Sequence, residues 1–290
     1  MRGFKRKLIW FAVQPSAFCL CLFNKMKALR FLLFFLLLPW LVINSCTKND
    51  DPPPVPDTGK LTIHFHHHCE GAPLETDIRK YVNEAGNEYM VNEIQYFISD
   101  VKLCRTDGSY YLISAWKDIH YVDTDIPSTH TWNVFDDIPA GAYQKLSFTF
   151  GISEEKNQSL MFVDPPESLM FWPQYLGGGY HYLKLNGKWL AANQMELPFD
   201  FHLGIGQIYD PQSGAITGFI QNYFEVEVPV PGFIIAAGEE AGIDLVMHVD
   251  NWFKDPHTYD HDEWGGDIMQ KQAAMKLGCE NGWNVFGLPD

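Results

Sequence analysis

Basic residues are scarce in this 290-residue chain: 21 Lys and Arg stand against 36 Asp and Glu, a formal net charge of -15. Seven of the basic residues fall within residues 1–46, which hold no acid, so the remainder carries 14 basic and 36 acidic side chains, a net -22. A surface of that sign repels nucleic acid and anionic lipid and concentrates cations. Cysteine is also scarce, with six in the chain, too few for a disulfide scaffold. Beyond Cys46 only Cys69, Cys104 and Cys279 remain. That odd number predicts one disulfide and one free thiol in an oxidising compartment. No Gly-x-Ser-x-Gly, His-Glu-x-x-His or glycine-rich phosphate loop occurs, so no local motif marks a hydrolase nucleophile, a zinc protease or a nucleotide site. The chain is read as a binding protein, not an enzyme. Repeats of solenoid or propeller period are absent as well.

What the N-terminus does have is an address. Residues 31–43 are almost wholly apolar and follow Lys25, Lys27 and Arg30. This is a basic region and an apolar region of signal-peptide length, too short to span a membrane comfortably. The run ends in Ile43-Asn44-Ser45-Cys46, which resembles a bacterial lipobox and predicts cleavage before Cys46 and lipidation of its thiol. The competing reading is an uncleaved anchor. Met26 would open a normal signal peptide over residues 26–45, leaving residues 1–25 as an upstream extension. Residues 46–59 form a proline-rich tether whose Pro52-Pro53-Pro54-Val55-Pro56 run favours extended polyproline II. Together these predict an outer-membrane lipoprotein, periplasmic or surface-exposed, held to the membrane by its lipid.

Residues 60–290 carry short apolar alternations separated by turn signals, the pattern of an all-β antiparallel sandwich or barrel-like domain. Strands are expected over residues 89–105 (as one strand or two), 110–113, 119–123, 131–135, 143–150, 199–203, 218–230 and 243–249. Residues 180–185 and 188–191 flank Asn186-Gly187, a hairpin signal. Residues 151–179 make a long loop rich in Asp, Pro and aromatics, and loops of that length inside a domain are usually functional. One short C-terminal helix is expected from about residue 267, with Asp267 as its cap.

The densest ligand chemistry lies in Lys60-Leu61-Thr62-Ile63-His64-Phe65-His66-His67-His68-Cys69. Alternation puts Leu61, Ile63, Phe65 and then His67 on one strand face, with His64 and His66 on the other. Imidazole and thiolate suit copper and zinc. His64 and His66 therefore form one candidate chelate, weighed against a surface strand that binds nothing. A second constellation, residues 257–263, holds two His and three carboxylates, though Pro256 and Gly265-Gly266 argue for a loop rather than the helix that His-x-x-x-His chelation needs. Glu154, Glu155, Asn157 and Asp164 offer oxygens for calcium, against the stronger reading of a solvated loop.

Several ordered segments resemble the MbnP-like family of copper-binding proteins. They include residues 61–74, Tyr81-Val82-Asn83-Glu84-Ala85-Gly86 and Ile94-Gln95-Tyr96-Phe97-Ile98-Ser99-Asp100. Phe148-Thr149-Phe150-Gly151-Ile152, Met170-Phe171-Trp172, Gly179-Tyr180 with Lys184-Leu185, and Phe201-His202-Leu203-Gly204 follow. The resemblance implies a β-rich extracytoplasmic fold that binds copper, Cu(I) or Cu(II), for storage, delivery or sensing. It also implies a tryptophan oxidised to kynurenine at the site and a dihaem peroxidase-like partner. Carried over residue by residue, the family histidines fall on His67 and His202 and the tryptophan on Trp172. Where the family often reads Trp-x-Trp, this chain has Gln174. The alternative of a different class is a cell-surface β-sandwich that binds glycan or protein without a functional metal site.

Overall fold

Alternating apolar side chains build two facing sheets in the computed structural model, which describes residues 57–115 and 118–289. The expectations for the upstream extension, the signal peptide, Cys46 and most of the tether lie outside the described residues. The principal strands are β1 (Thr58–Cys69), β2 (Glu88–Cys104), β3 (Ile119–Asp123), β4 (Gly141–Phe150), β5 (Leu183–Leu190), β6 (Glu196–Leu203), β7 (Phe224–Ile235) and β8 (Glu240–His248). The larger sheet runs β6-β5-β2-β4-β7 with every neighbour antiparallel, and β3 also pairs with β2. The smaller sheet centres on β1 and β8, which pair in parallel from Lys60↔Glu240 to His68↔His248. The first and last long strands of the domain are thereby joined. The result is an open sandwich rather than a closed barrel.

The core follows from strand parity. Leu61, Ile63 and Phe65 of β1 and Ile94, Tyr96 and Ile98 of β2 are all buried. Phe65 meets Tyr96 at 6.4 Å between ring centroids, and Tyr96 stacks on Phe150 at 5.9 Å. Each large side chain buried this way contributes about 1.5–3 kcal/mol. β2 is one continuous strand, with a register shift between Ser99 and Lys102 and a positive φ of 53° at Asp100.

The long loop, residues 151–179, folds over the outer face of the larger sheet. Its aromatics account for that: Phe162 stacks on Phe97 at 5.4 Å, and Tyr180, just after the loop, meets Phe97 at 6.3 Å. Lys156 pins the loop through Asp100 and Asp118, each at 2.7 Å.

Three sequence expectations are corrected. Asn186-Gly187 is no hairpin: β5 runs straight through it with a register shift. A Cβ at position 187 would collide with the Met90 carbonyl and the Phe199 ring, so the glycine is there for close packing, not for a turn. The helix begins at Gln272 and ends at Asn281, because Asp267 instead bridges to Asp200 and accepts the Met269 N–H at 2.9 Å. No disulfide forms among the described residues. Cys69, Cys104 and Cys279 are all free, with Cys69 against the Tyr89 hydroxyl and Cys279 donating to the Asn222 carbonyl. The first two lie at the ends of β1 and β2 and the third on the helix, so the topology separates them.

Candidate metal centre

The end of the long loop doubles back on itself. Trp172 N donates to the Gly179 carbonyl at 2.8 Å, and His181 N donates to that of Met170 at 2.7 Å. Phe171 and Tyr180 form the bridge between these bonds. Gly177, Gly178 and Gly179 all have positive φ, 125°, 70° and 75°, a backbone path that only glycine follows without strain. The three glycines thus return the chain tightly enough to set Trp172 and His181 side by side, with ring centroids 4.6 Å apart. From the sheet below, β6 supplies His202. Its partner across the ladder is Lys184, so it projects from the outer face while Phe201 and Leu203 point into the core. The His181 and His202 rings are 5.1 Å apart and perpendicular.

Hydrogen bonds fix the tautomer of each ring. His202 Nε2 lies 2.7 Å from Asn186 Oδ1, and the Asn186 amide nitrogen donates to Glu93 at 3.4 Å. The amide oxygen therefore faces the imidazole, the proton sits on Nε2, and Nδ1 keeps its lone pair. His181 uses the opposite tautomer: Nδ1 donates to the Met170 carbonyl at 2.9 Å, leaving the lone pair on Nε2. Both free nitrogens, His181 Nε2 and His202 Nδ1, are enclosed and have no hydrogen-bond partner. Leaving a buried polar group unpaired costs about 1–3 kcal/mol, so two beside each other form a feature the fold maintains at a loss.

Both rings are neutral. Burial, with the Lys184 ammonium close by, lowers the His202 pKa to about 3. Burial first, then His202 and Lys184, takes His181 well below its ordinary value. Lys184 is itself lowered by burial and donates to the Leu169 carbonyl at 2.7 Å. Trp172 is fully buried, its Nε1–H donates to the Leu176 carbonyl at 3.2 Å, and its ring lies flat on Gly204, where a Cβ would come within 2.5 Å of it.

With this geometry stands the outcome of comparison with known proteins. A family model, MbnP, matches residues 58–270. The chain belongs to the MbnP family. A solved structure, MbnP from Methylosinus trichosporium, is 15% identical, covers 70% of this chain and 80% of its own, and superposes with a TM-score of 0.46. Comparison with curated proteins gives no match. In this MbnP-family chain the resemblance had put His67, His202 and Trp172 together. The structure links His202 to Trp172 through the ring of His181 and leaves His67 apart. His67 continues the inward face of β1 and meets the Tyr96 ring at 5.8 Å, whereas His202 is on the opposite face of the larger sheet. The ring between Trp172 and His202 is that of His181, which the sequence reading passed over. Its one signal was position: it directly follows the glycine run and Tyr180. Asn186, misread as a turn residue, proves to orient His202.

The other candidates go elsewhere. His64 meets the Thr131 hydroxyl at 3.3 Å and His66 meets Asp244 at 2.8 Å, so each is paired off separately. His257 bonds Glu280 at 2.6 Å, while His261 is buried between Phe199 and other aromatics, with burial lowering its pKa to about 3. Asn157 accepts the Tyr180 N–H at 2.9 Å and so holds the loop. Among the described residues no three His, Cys, Asp or Glu side chains gather as a metal-binding group. Two neutral imidazoles without a carboxylate suit a soft, low-coordinate cation such as Cu(I) better than a harder divalent ion. His181 and His202 could hold such an ion, with Asn186 and the Met170 carbonyl fixing the ring orientations.

Proposed function

We propose that this protein is an extracytoplasmic copper-binding protein in which His181 and His202, beside Trp172, would hold Cu(I). The observation that carries the reading is the pair of enclosed, unpartnered imidazole nitrogens on rings 5.1 Å apart. Membership of the MbnP family supports it. Storage or delivery fits better than catalysis, because a metal held by two buried rings beneath a packed tryptophan leaves little room for a substrate. A lipid on Cys46 would keep the domain at the outer membrane at the end of its proline tether. Trp172 is the residue that a dihaem peroxidase-like partner would oxidise to kynurenine, and mass mapping of the peptide containing it, from native cells, tests that part.

The central test is anaerobic Cu(I) titration against a chromophoric chelator. The expected result is that His181→Gln and His202→Gln each lower affinity by at least about a hundredfold, beyond the range of outer-partner mutations, while a His64→Ala/His66→Ala double variant binds as the wild type does. Circular dichroism checks that the variants fold. Loss of copper in the double variant with retention in the other two would assign the metal to the exposed face of β1 and end this reading.

A further inference from the structure

A second group of imidazoles lies away from Trp172. Past Phe65, β1 places His67 at a cavity of about 320 Å³ that is also lined by His66, His68, His130, Thr124 and Leu74. His67 is half-buried, and its Nε2 is enclosed with no hydrogen-bond partner. Nε2 is thus the His67 nitrogen left to meet a ligand. His130 closes the short turn Pro127–His130. Its Nε2 lies 2.8 Å from the Asp123 carbonyl oxygen and must donate to it, which leaves Nδ1 as the nitrogen a metal ion would take. The two rings are 5.6 Å apart and inclined at 60°.

The neighbouring histidines are engaged elsewhere. His66 is held by Asp244, and the His68 ring packs edge-on to that of His248 at 6.4 Å. That leaves His67 and His130 as a pair, which resembles that of His181 and His202 in having one imidazole held by a backbone carbonyl and an enclosed ring nitrogen without a partner. No Asp or Glu side chain lines the cavity, so a divalent ion would find no charge compensation there.

We propose that His67 and His130 form a second, more open site for a soft monovalent cation, Cu(I) or Ag(I), separate from the enclosed pair. The open cavity beside the pair leaves it nearer solvent than the site beside Trp172, so it exchanges its ion faster. It stands independently of the function proposed above.

Silver is the probe, because it is stable in air and takes two-coordinate nitrogen sites. The mature chain, labelled with ¹⁵N-histidine, is titrated with Ag(I) in chloride-free buffer while the ring nitrogens are followed by long-range ¹H–¹⁵N correlation. The expected result is that His67 Nε2 and His130 Nδ1 shift together at one equivalent, and that His181 and His202 shift at a different one. His130→Gln should remove the first event and leave the second. His67→Gln should do the same, and if that variant fails to fold, the wild-type titration and His130→Gln decide the matter. Silent His67 and His130 resonances, or a shift confined to His64 and His66, would overturn the proposal. A shift of His67 and His130 with none at His181 and His202 would uphold this site and overturn the proposed function.

Discussion

The two histidine pairs differ chiefly in how they are roofed. His181 and His202 lie on the outer face of the larger sheet, covered by a loop that Lys156, Phe162 and Tyr180 tie down. His67 and His130 lie where β1 leaves the sandwich core, beside an open cavity. In each, a backbone carbonyl fixes one imidazole. Only the enclosed pair has its second ring fixed as well, by Asn186. The comparison teaches that two pairs of the same rings differ in what covers them and in how many are oriented, the properties that would set holding apart from exchange.

Acid is expected to have the largest effect, because it acts on both pairs. His67 and His202, together with His261 in the core, have folded pKa values near 3 against an ordinary 6.5. For His67 the causes are burial first and then the charges His130, His66 and His68 would carry. Each group binds its proton more readily in the unfolded chain. The stability tied to its neutrality is therefore complete above pH 6.5 and lost as pH falls toward 3, at about 1.4 kcal/mol per pH unit for each histidine. Urea unfolding midpoints at pH 7.5, 5.5 and 4.5 should fall steeply, whereas a flat profile would show that these rings reach solvent.

Gly204→Ala should separate the two pairs. The added methyl meets the Trp172 ring at 2.5 Å, and overpacking of this kind costs about 1–3 kcal/mol. Thermal melts should register that loss. Ag(I) shifts at His181 and His202 should weaken while those at His67 and His130 stay as they were. Equal weakening at both would mean the pairs are coupled.

Asn186→Ala is the finest test. It removes the acceptor that sets the His202 tautomer and leaves the ring itself in place. Cu(I) affinity at the enclosed pair should drop by about tenfold, at the low end for loss of an outer partner, and Asn186→Asp, which keeps an acceptor there, should restore much of it. An unchanged affinity in Asn186→Ala would show that packing alone orients His202.

Much of the fold was legible in the chain. Alternation at Leu61, Ile63 and Phe65, and again at Ile94, Tyr96 and Ile98, determined which faces meet, because a strand has only two faces and a core accepts only one of them. The length and aromatic content of residues 151–179 marked the loop that packs on the larger sheet, and the family resemblance pointed to Trp172 and His202. The partner of His202 was not legible. A strand's parity says which way His67 and His202 point relative to their own neighbours, but not that the two directions lie on opposite sides of one sheet. Nor could a local reading tell that Asn186-Gly187, chemically a turn signal, would sit mid-strand with its glycine against Phe199 and its amide on an imidazole. Sequence determined the elements, the burial pattern and the kinds of ligand available. Which ligands meet was decided by a three-glycine return and a ladder register, contacts between segments that local sequence cannot specify.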